Sequence, residues 1–229
     1  MLEDITDYDT STEYQEHDNQ PQDDKKHTYT YKLKIIQHPI RARMCGFGNK
    51  DRRPCTPPPI LRLFVYDAHG NEIEPLNINS LFYTVFASLT SEDMLHNIDL
   101  VYNNIVKYDS QPDTNDEETQ KQKKCPYSKS LVGTTVSRAT ILHDLEGKLG
   151  IFFIFHDLSI RKDGVFRLKF SFFDLESNNL LSSTQAQVKD FVYTESITVY
   201  TARTFPGMIE STPLAMHFFR QGLKIPVRK

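Results

Sequence analysis

The sequence predicts an all-β fold, an antiparallel β-sandwich with one short helix near its C-terminus. Three observations predict it. Runs rich in aromatic and β-branched residues alternate apolar and polar positions with period two. Turn chemistry separates them, as in AHGN at 68–71, RKDG at 161–164 and DLESNN at 174–179. Helix start and stop signals come together late in the chain, in ESTPLAMHFFRQG at 210–222.

Taken in order, TYTYKLKIIQ sets Tyr29, Tyr31, Leu33 and Ile35 against Thr30, Lys32 and Lys34. ILRLFVYD follows at 60–67, with Ile60, Arg62, Phe64 and Tyr66 on alternate sites. FYTVFASL, IDLVYN, GTTVSRATIL, KLGIFFIFHDLSI, GVFRLKFSFFD and ESITVYTA read as further strands, about eight in all. RKDG and DLESNN are expected to join neighbouring strands. In the helix, Thr212 is placed to cap, and Pro213 fits the first position, where its missing N–H does no harm. Leu214 and Phe218, four apart, share a face, and Gly222 is the expected left-handed stop.

At 229 residues with a 38% hydrophobic share, the chain suits a domain with segments that do not fold. Residues 1–27 are expected to be a disordered acidic tail, since 1–26 hold nine acids and two lysines. Residues 28–229 form the domain, and KYDSQPDTNDEETQKQKKCPYSKS at 107–130 reads as a flexible polar insertion within it. No run of about 18 apolar residues marks a membrane span. MLEDITDYDT has neither the basic start nor the apolar core of a secretory signal. Cys45, Cys55 and Cys125 cannot all pair within the chain, and reduced thiols inside a cell are expected.

Motifs for catalysis are missing. G-x-S-x-G, a phosphate-cradling P-loop and H-E-x-x-H do not occur. The pairs His143-Asp144 and His156-Asp157 flank strands, which send adjacent side chains to opposite faces. Cys45 and Cys55 lack the C-x-x-C spacing of a zinc site. The expectation is a protein without enzymatic activity, metal or cofactor.

The charge is unevenly spread. The net charge is −3, yet RARMCGFGNKDRR at 41–53 carries Arg41, Arg43, Lys50, Arg52 and Arg53 against one acid, Asp51. Removing the acidic tail leaves a basic domain, and the last ten residues add four more basic side chains. Arg41 and Arg43 leave a strand in alternate register, so both can face one way. Gly46 and Gly48 allow close backbone approach to a ligand, and Pro54, Pro57, Pro58 and Pro59 stiffen the exit. Arginine matches phosphate and the guanine edge with two parallel hydrogen bonds. The loop reads as a DNA-binding element. The other reading is a dimerisation adaptor that does not bind DNA, whose basic loop takes an acidic protein surface.

RARMCGFGNKDRRPCTPPPI, LVGTTVSRATIL, GIFFIFHDLSIRKDGVFRLKFSFFDL and FPGMIESTPLAMHFFRQGLKIPVRK resemble, in that order, the velvet domain of fungal regulators. The resemblance runs from about Tyr29 to the C-terminus. The insertion and the KIPVRK ending are most similar to the B subfamily. The resemblance implies an immunoglobulin-like sandwich similar to the Rel/NF-κB N-terminal domain. It implies sequence-specific binding of double-stranded DNA, homo- or heterodimerisation with other velvet proteins, and control of development, sporulation and secondary metabolism. A methyltransferase-like nuclear regulator is a further implied partner, with residence in nucleus and cytoplasm. Arg41, Arg43 and Cys45 resemble the arginine–arginine–cysteine order of the Rel recognition loop, with one residue fewer before the cysteine and no glutamate after it. The DNA-binding candidates are therefore Arg41, Arg43, Cys45, Lys50, Arg52 and Arg53. Leu214 and Phe219 are the candidates for a dimer contact.

Overall fold

In the computed structural model, residues 29–48, 52–103, 126–176 and 186–228 are described. The acidic tail, Lys50, Cys125 and most of the polar insertion lie outside them. The strands are β1 (Thr30–Gln37), β2 (Arg41–Arg43), β3 (Ile60–Tyr66), β4 (Tyr83–Ser91), β5 (Leu100–Tyr102), β6 (Tyr127–Lys129) and β7 (Leu131–Gly133). They continue with β8 (Val136–Arg138), β9 (Thr140–His143), β10 (Leu149–Ile154), β11 (Leu158–Ile160), β12 (Gly164–Asp174), β13 (Asp190–Tyr193) and β14 (Ile197–Tyr200). One α-helix follows, α1 (Pro213–Arg220), so the described chain is all-β with one short helix.

Two sheets hold the domain. One runs β1-β3-β10-β9, the other β2-β14-β12-β4-β8, with β13 also paired to β12. Their facing sides share one core, because each strand turns alternate residues inward. β12 contributes Phe166, Leu168, Phe170 and Phe172, β4 contributes Tyr83, Val85 and Leu89, and β3 contributes Leu61, Leu63 and Val65. Contacts across the gap include Phe153 with Phe172 at 6.1 Å between ring centroids. The phenol of Tyr31 donates to the buried carboxylate of Asp174 at 2.7 Å, which gives that carboxylate a polar partner inside the core.

β10 explains the helix. Its run LGIFFI shows no alternation because both faces are buried. Ile151 and Phe153 join the main core, while Phe152 and Ile154 face the other way, into a second cluster with Ile60, Leu142, Ala215, Phe218 and Ile225. Helix α1 therefore covers the outer side of the four-stranded sheet. Its start is as expected: the Thr212 hydroxyl accepts from the Ala215 amide at 3.1 Å, and Pro213 is the first helical residue. Gly222 ends it at φ 96°, a conformation that disfavours any side chain. Gln221 then grips the β9 end, accepting from the His143 amide at 2.9 Å and donating to its carbonyl at 2.8 Å.

Several expectations are corrected. The sheets are not wholly antiparallel, since β2 lies parallel to β14. GTTVSRATIL divides into three pieces, and KLGIFFIFHDLSI breaks at Phe155–Asp157, so that β11 leaves the large sheets to pair with β7. The break at Gly133 has a steric cause. It adopts φ 102°, and a Cβ there would lie 1.6 Å from the Asp157 carbonyl oxygen. RKDG joins β11 to β12, which are in different sheets, so it is a crossover rather than a hairpin turn. The tail of the polar insertion, Tyr127–Lys129, is a strand paired with β5.

The first His-Asp pair has a structural role. Asp144 accepts from the amides of Glu146 and Lys148, and from Arg62 Nη1 at 2.8 Å, while the Arg62 guanidinium lies over Phe64 and Phe152. Burial alone raises the Asp144 pKa, but those donors outweigh it and hold the carboxyl below its usual value. The native pKa is depressed, so the carboxylate stabilises the fold above the usual aspartate pKa, and that contribution disappears as pH falls through the lowered native value. Urea midpoints measured from about pH 5 to pH 2 should fall more steeply for the natural chain than for Asp144→Asn. Parallel curves would remove Asp144 as a source of acid lability.

Among the described residues, no helix is long and apolar enough to cross a membrane.

Candidate functional site

The basic segment begins as a strand. Arg41, Ala42 and Arg43 make up β2, with Ala42 fully buried and both arginines partly exposed, so the two share the face away from the core. β2 is held on both sides. Arg41 pairs with Thr198, and Arg43 with Tyr200, in the parallel ladder to β14. On the other side the Arg41 amide donates to the Thr56 carbonyl at 3.2 Å, and the Thr56 amide returns to the Arg41 carbonyl at 2.9 Å. A strand pinned along both edges fixes the direction of its side chains and leaves little ordering entropy to lose on binding. Arg41 Nε is buried and has no hydrogen-bond partner among the described residues.

Both legs of the loop bond to the same edge of β11, opposite the edge that pairs with β7. The Cys45 amide donates to the Ile160 carbonyl at 2.9 Å and the Cys55 amide to the Leu158 carbonyl at 2.7 Å. Both side chains are buried thiols outside any disulfide, Cys45 only 2% exposed. Cys45 is among the DNA-contact candidates, and the structure gives it a buried side chain. Its side chain is inside the protein, so its contribution to any binding surface is to anchor the loop. Desolvation pushes the Cys55 thiol up to about 12, which leaves it protonated and inert at neutral pH.

The remaining basic residues separate. Arg53 is exposed. Arg52 Nη2 lies 3.3 Å from Asp157 Oδ2, with both side chains about one-third exposed. Such a surface pair is worth about 0–1 kcal/mol, so a phosphate can displace Asp157 from it. Lys50 lies outside the described residues. Neither Gly46 nor Gly48 has a positive φ, and a Cβ on either meets no atom within 4 Å. The described fold itself does not require glycine at either position. The proline exit is also tied down: Gln37 Nε2 donates to the Pro58 carbonyl at 2.7 Å, and the Thr212 hydroxyl donates to Gln37 Oε1 at 2.6 Å. The helix cap and the basic loop are thus linked through the Gln37 side chain.

The candidate dimer residues also separate. Leu214 packs against the cluster beneath the helix, so most of its apolar surface serves the fold. Phe219 is 46% exposed, while its neighbour Phe218 is fully buried. A step of about 100° along the helix accounts for the difference.

Sequence reasoning missed two features. Arg161 links the glycine loop to β6, a contact between residues far apart in the chain that no local pattern signals. The outer face of the large sheet carries Phe86 packed edge-on to Phe173 at 5.2 Å, with Phe191 and Tyr193 on the neighbouring β13. Along β12 the outward positions include Arg167, Lys169 and Ser171, and Phe173 adds an aromatic to that face.

Residues 31–229 match the family described as Velvet factor. The chain is 30% identical to the velvet complex protein designated B in Emericella nidulans, over 87% of this chain and 78% of that protein. It is 38% identical to the sexual development regulator umv3 of Mycosarcoma maydis, and 28% identical to the velvet complex protein umv2 of the same organism. It spans 45% and 59% of the length of those two relatives. A family match across nearly the whole domain, together with relatives at this identity, places the chain: it belongs to the velvet family.

Proposed function

We propose that this chain is a sequence-specific regulator that binds double-stranded DNA, acting in development, sporulation and secondary metabolism as a homo- or heterodimer with other velvet proteins. It works in nucleus and cytoplasm, has no enzymatic activity, and reaches a methyltransferase-like nuclear regulator through a velvet complex. The sandwich is of the immunoglobulin type, similar to the Rel N-terminal domain. Relatives named as members of a velvet complex and as a sexual development regulator support the regulatory role and the partnership.

The observation that carries the DNA reading is the doubly pinned β2, with Arg41 and Arg43 on one outward face and Arg53 exposed three residues before the Thr56 bridge. Preset arginines of this kind can read base edges, while Arg52, Arg53 and Lys50 serve phosphates. A gel-shift titration of duplex DNA, with the whole chain and with residues 1–27 removed, tests the reading. Salt-sensitive binding that strengthens without the acidic tail is expected. No binding by either form, with binding to an acidic protein instead, leaves the adaptor.

Dimerisation is assigned to Phe219. Burying a side chain of this size is worth roughly 1.5–3 kcal/mol. Phe219→Ala should therefore leave the melting temperature nearly unchanged and weaken a velvet heterodimer by about one to two decades. Analytical ultracentrifugation reads this directly. Unaltered association moves the contact elsewhere, to the aromatic face formed by Phe86, Phe173 and Phe191.

A further inference from the structure

The ribbon β5–β6 belongs to neither large sheet. A two-stranded ribbon is marginal in water by itself, so something else has to hold it. Its anchor is the basic loop's own neighbour. Arg161 Nη1 donates to the Lys129 carbonyl at 3.1 Å and Nε to the Gly46 carbonyl at 3.4 Å, while the guanidinium lies 5.5 Å from the Phe47 ring centre. The Arg161 amide donates to the Ser130 carbonyl at 2.8 Å, and the Ser130 amide to the Asp99 carbonyl at 2.9 Å. A single side chain thus spans the glycine end of the loop and the end of the ribbon, and makes them one surface.

The ribbon's outer face is specific in its chemistry. Leu100 lies opposite Lys129 and Tyr102 opposite Tyr127, and all four are exposed. The two phenol rings meet edge-on at 5.8 Å. Lys162, next to Arg161, is exposed as well. Among the described residues the acids nearby in the chain are Asp99, Asp157 and Asp163, and Asp157 is already engaged with Arg52; in sequence the link between the two strands carries Asp109, Asp113, Asp116, Glu117 and Glu118 against Lys107, Lys121, Lys123 and Lys124. Tyrosine is common at protein interfaces too, but lysine is depleted at their cores, and the lysine ammonium and tyrosine hydroxyl both donate to DNA phosphates. The major groove also admits a two-stranded ribbon.

We propose that β5–β6 is a second nucleic-acid contact, binding backbone phosphates of the same duplex that the basic loop engages. The inference rests on the DNA-binding reading above. Lys129 neutralises one phosphate, and the hydroxyls of Tyr102 and Tyr127 donate to phosphate oxygens beside it. Arg161 positions the ribbon against the loop.

Duplex titrations over a range of salt, with the whole chain and with two variants checked for folding by thermal melts, test it. Lys129→Ala should reduce the log–log salt slope by about 0.9 and leave the sequence preference intact. Tyr102→Phe with Tyr127→Phe should weaken binding about tenfold at an unchanged slope, from loss of hydrogen bonds to a charged partner. Natural affinity and slope in both variants overturn the ribbon contact and leave the loop reading standing. A natural chain without duplex affinity overturns both.

Discussion

Phe218→Ala lowers the stability of the domain by about 3–5 kcal/mol, the usual range for removing a buried phenylalanine. The side chain is fully buried, its ring centre 4.8 Å from that of Phe152, within a cluster that also includes Ile60, Leu142, Ile154, Ala215 and Ile225. An eight-residue helix has little stability of its own, so α1 stays folded because that cluster exists. Truncation leaves a cavity that a β-sheet on one side cannot collapse to fill. Denaturant titration reads the loss as a lower midpoint at constant slope. The effect also reaches the basic loop, because the Thr212 cap holds Gln37, which in turn holds Pro58. A helix that undocks releases the stiff exit of that loop, so DNA affinity falls with stability. A stability loss under about 1 kcal/mol would mean that the helix is not anchored through Phe218.

Replacing Arg41 and Arg43 together by alanine reduces affinity for the preferred duplex by about 2–6 kcal/mol, at about 1–3 kcal/mol for each bidentate base contact. Binding to unrelated sequences falls much less. The difference follows from how the strand is held. Its ladder to β14 and its bridge to Thr56 are backbone bonds, so the substitutions leave them in place. Arg53→Ala gives the contrasting result: affinity drops about equally for all sequences, and the salt slope flattens by about 0.9, as for a single lost phosphate contact. Equal losses on every duplex for Arg43→Ala reassign Arg43 to the phosphates.

The helix was legible in the sequence because everything that defines it is local. Thr212, Pro213 and Gly222 lie within eleven residues, and each acts on its own neighbours. Strand existence was legible for the same reason. Strand partners were not. β2 is three residues long and pairs with a strand more than 150 residues later, so its arginines read as part of a loop rather than as a strand. Cys45 is buried because Ile160, far along the chain, takes its amide, and no pattern around Cys45 announces that. β6 was hidden in a stretch whose polar composition argued for disorder, yet Arg161 and the pairing to β5 hold it in place. The site was legible in its charge and illegible in its geometry.

The most direct test of the DNA reading is a selection from random duplex DNA with the whole chain and with its Arg41→Ala, Arg43→Ala variant, alone and with a velvet partner. The natural chain is expected to enrich a defined motif, and the folded variant to enrich none while keeping weak, salt-sensitive binding. Enrichment of the same motif by both proteins, or of no motif by the natural chain with or without its partner, contradicts that reading.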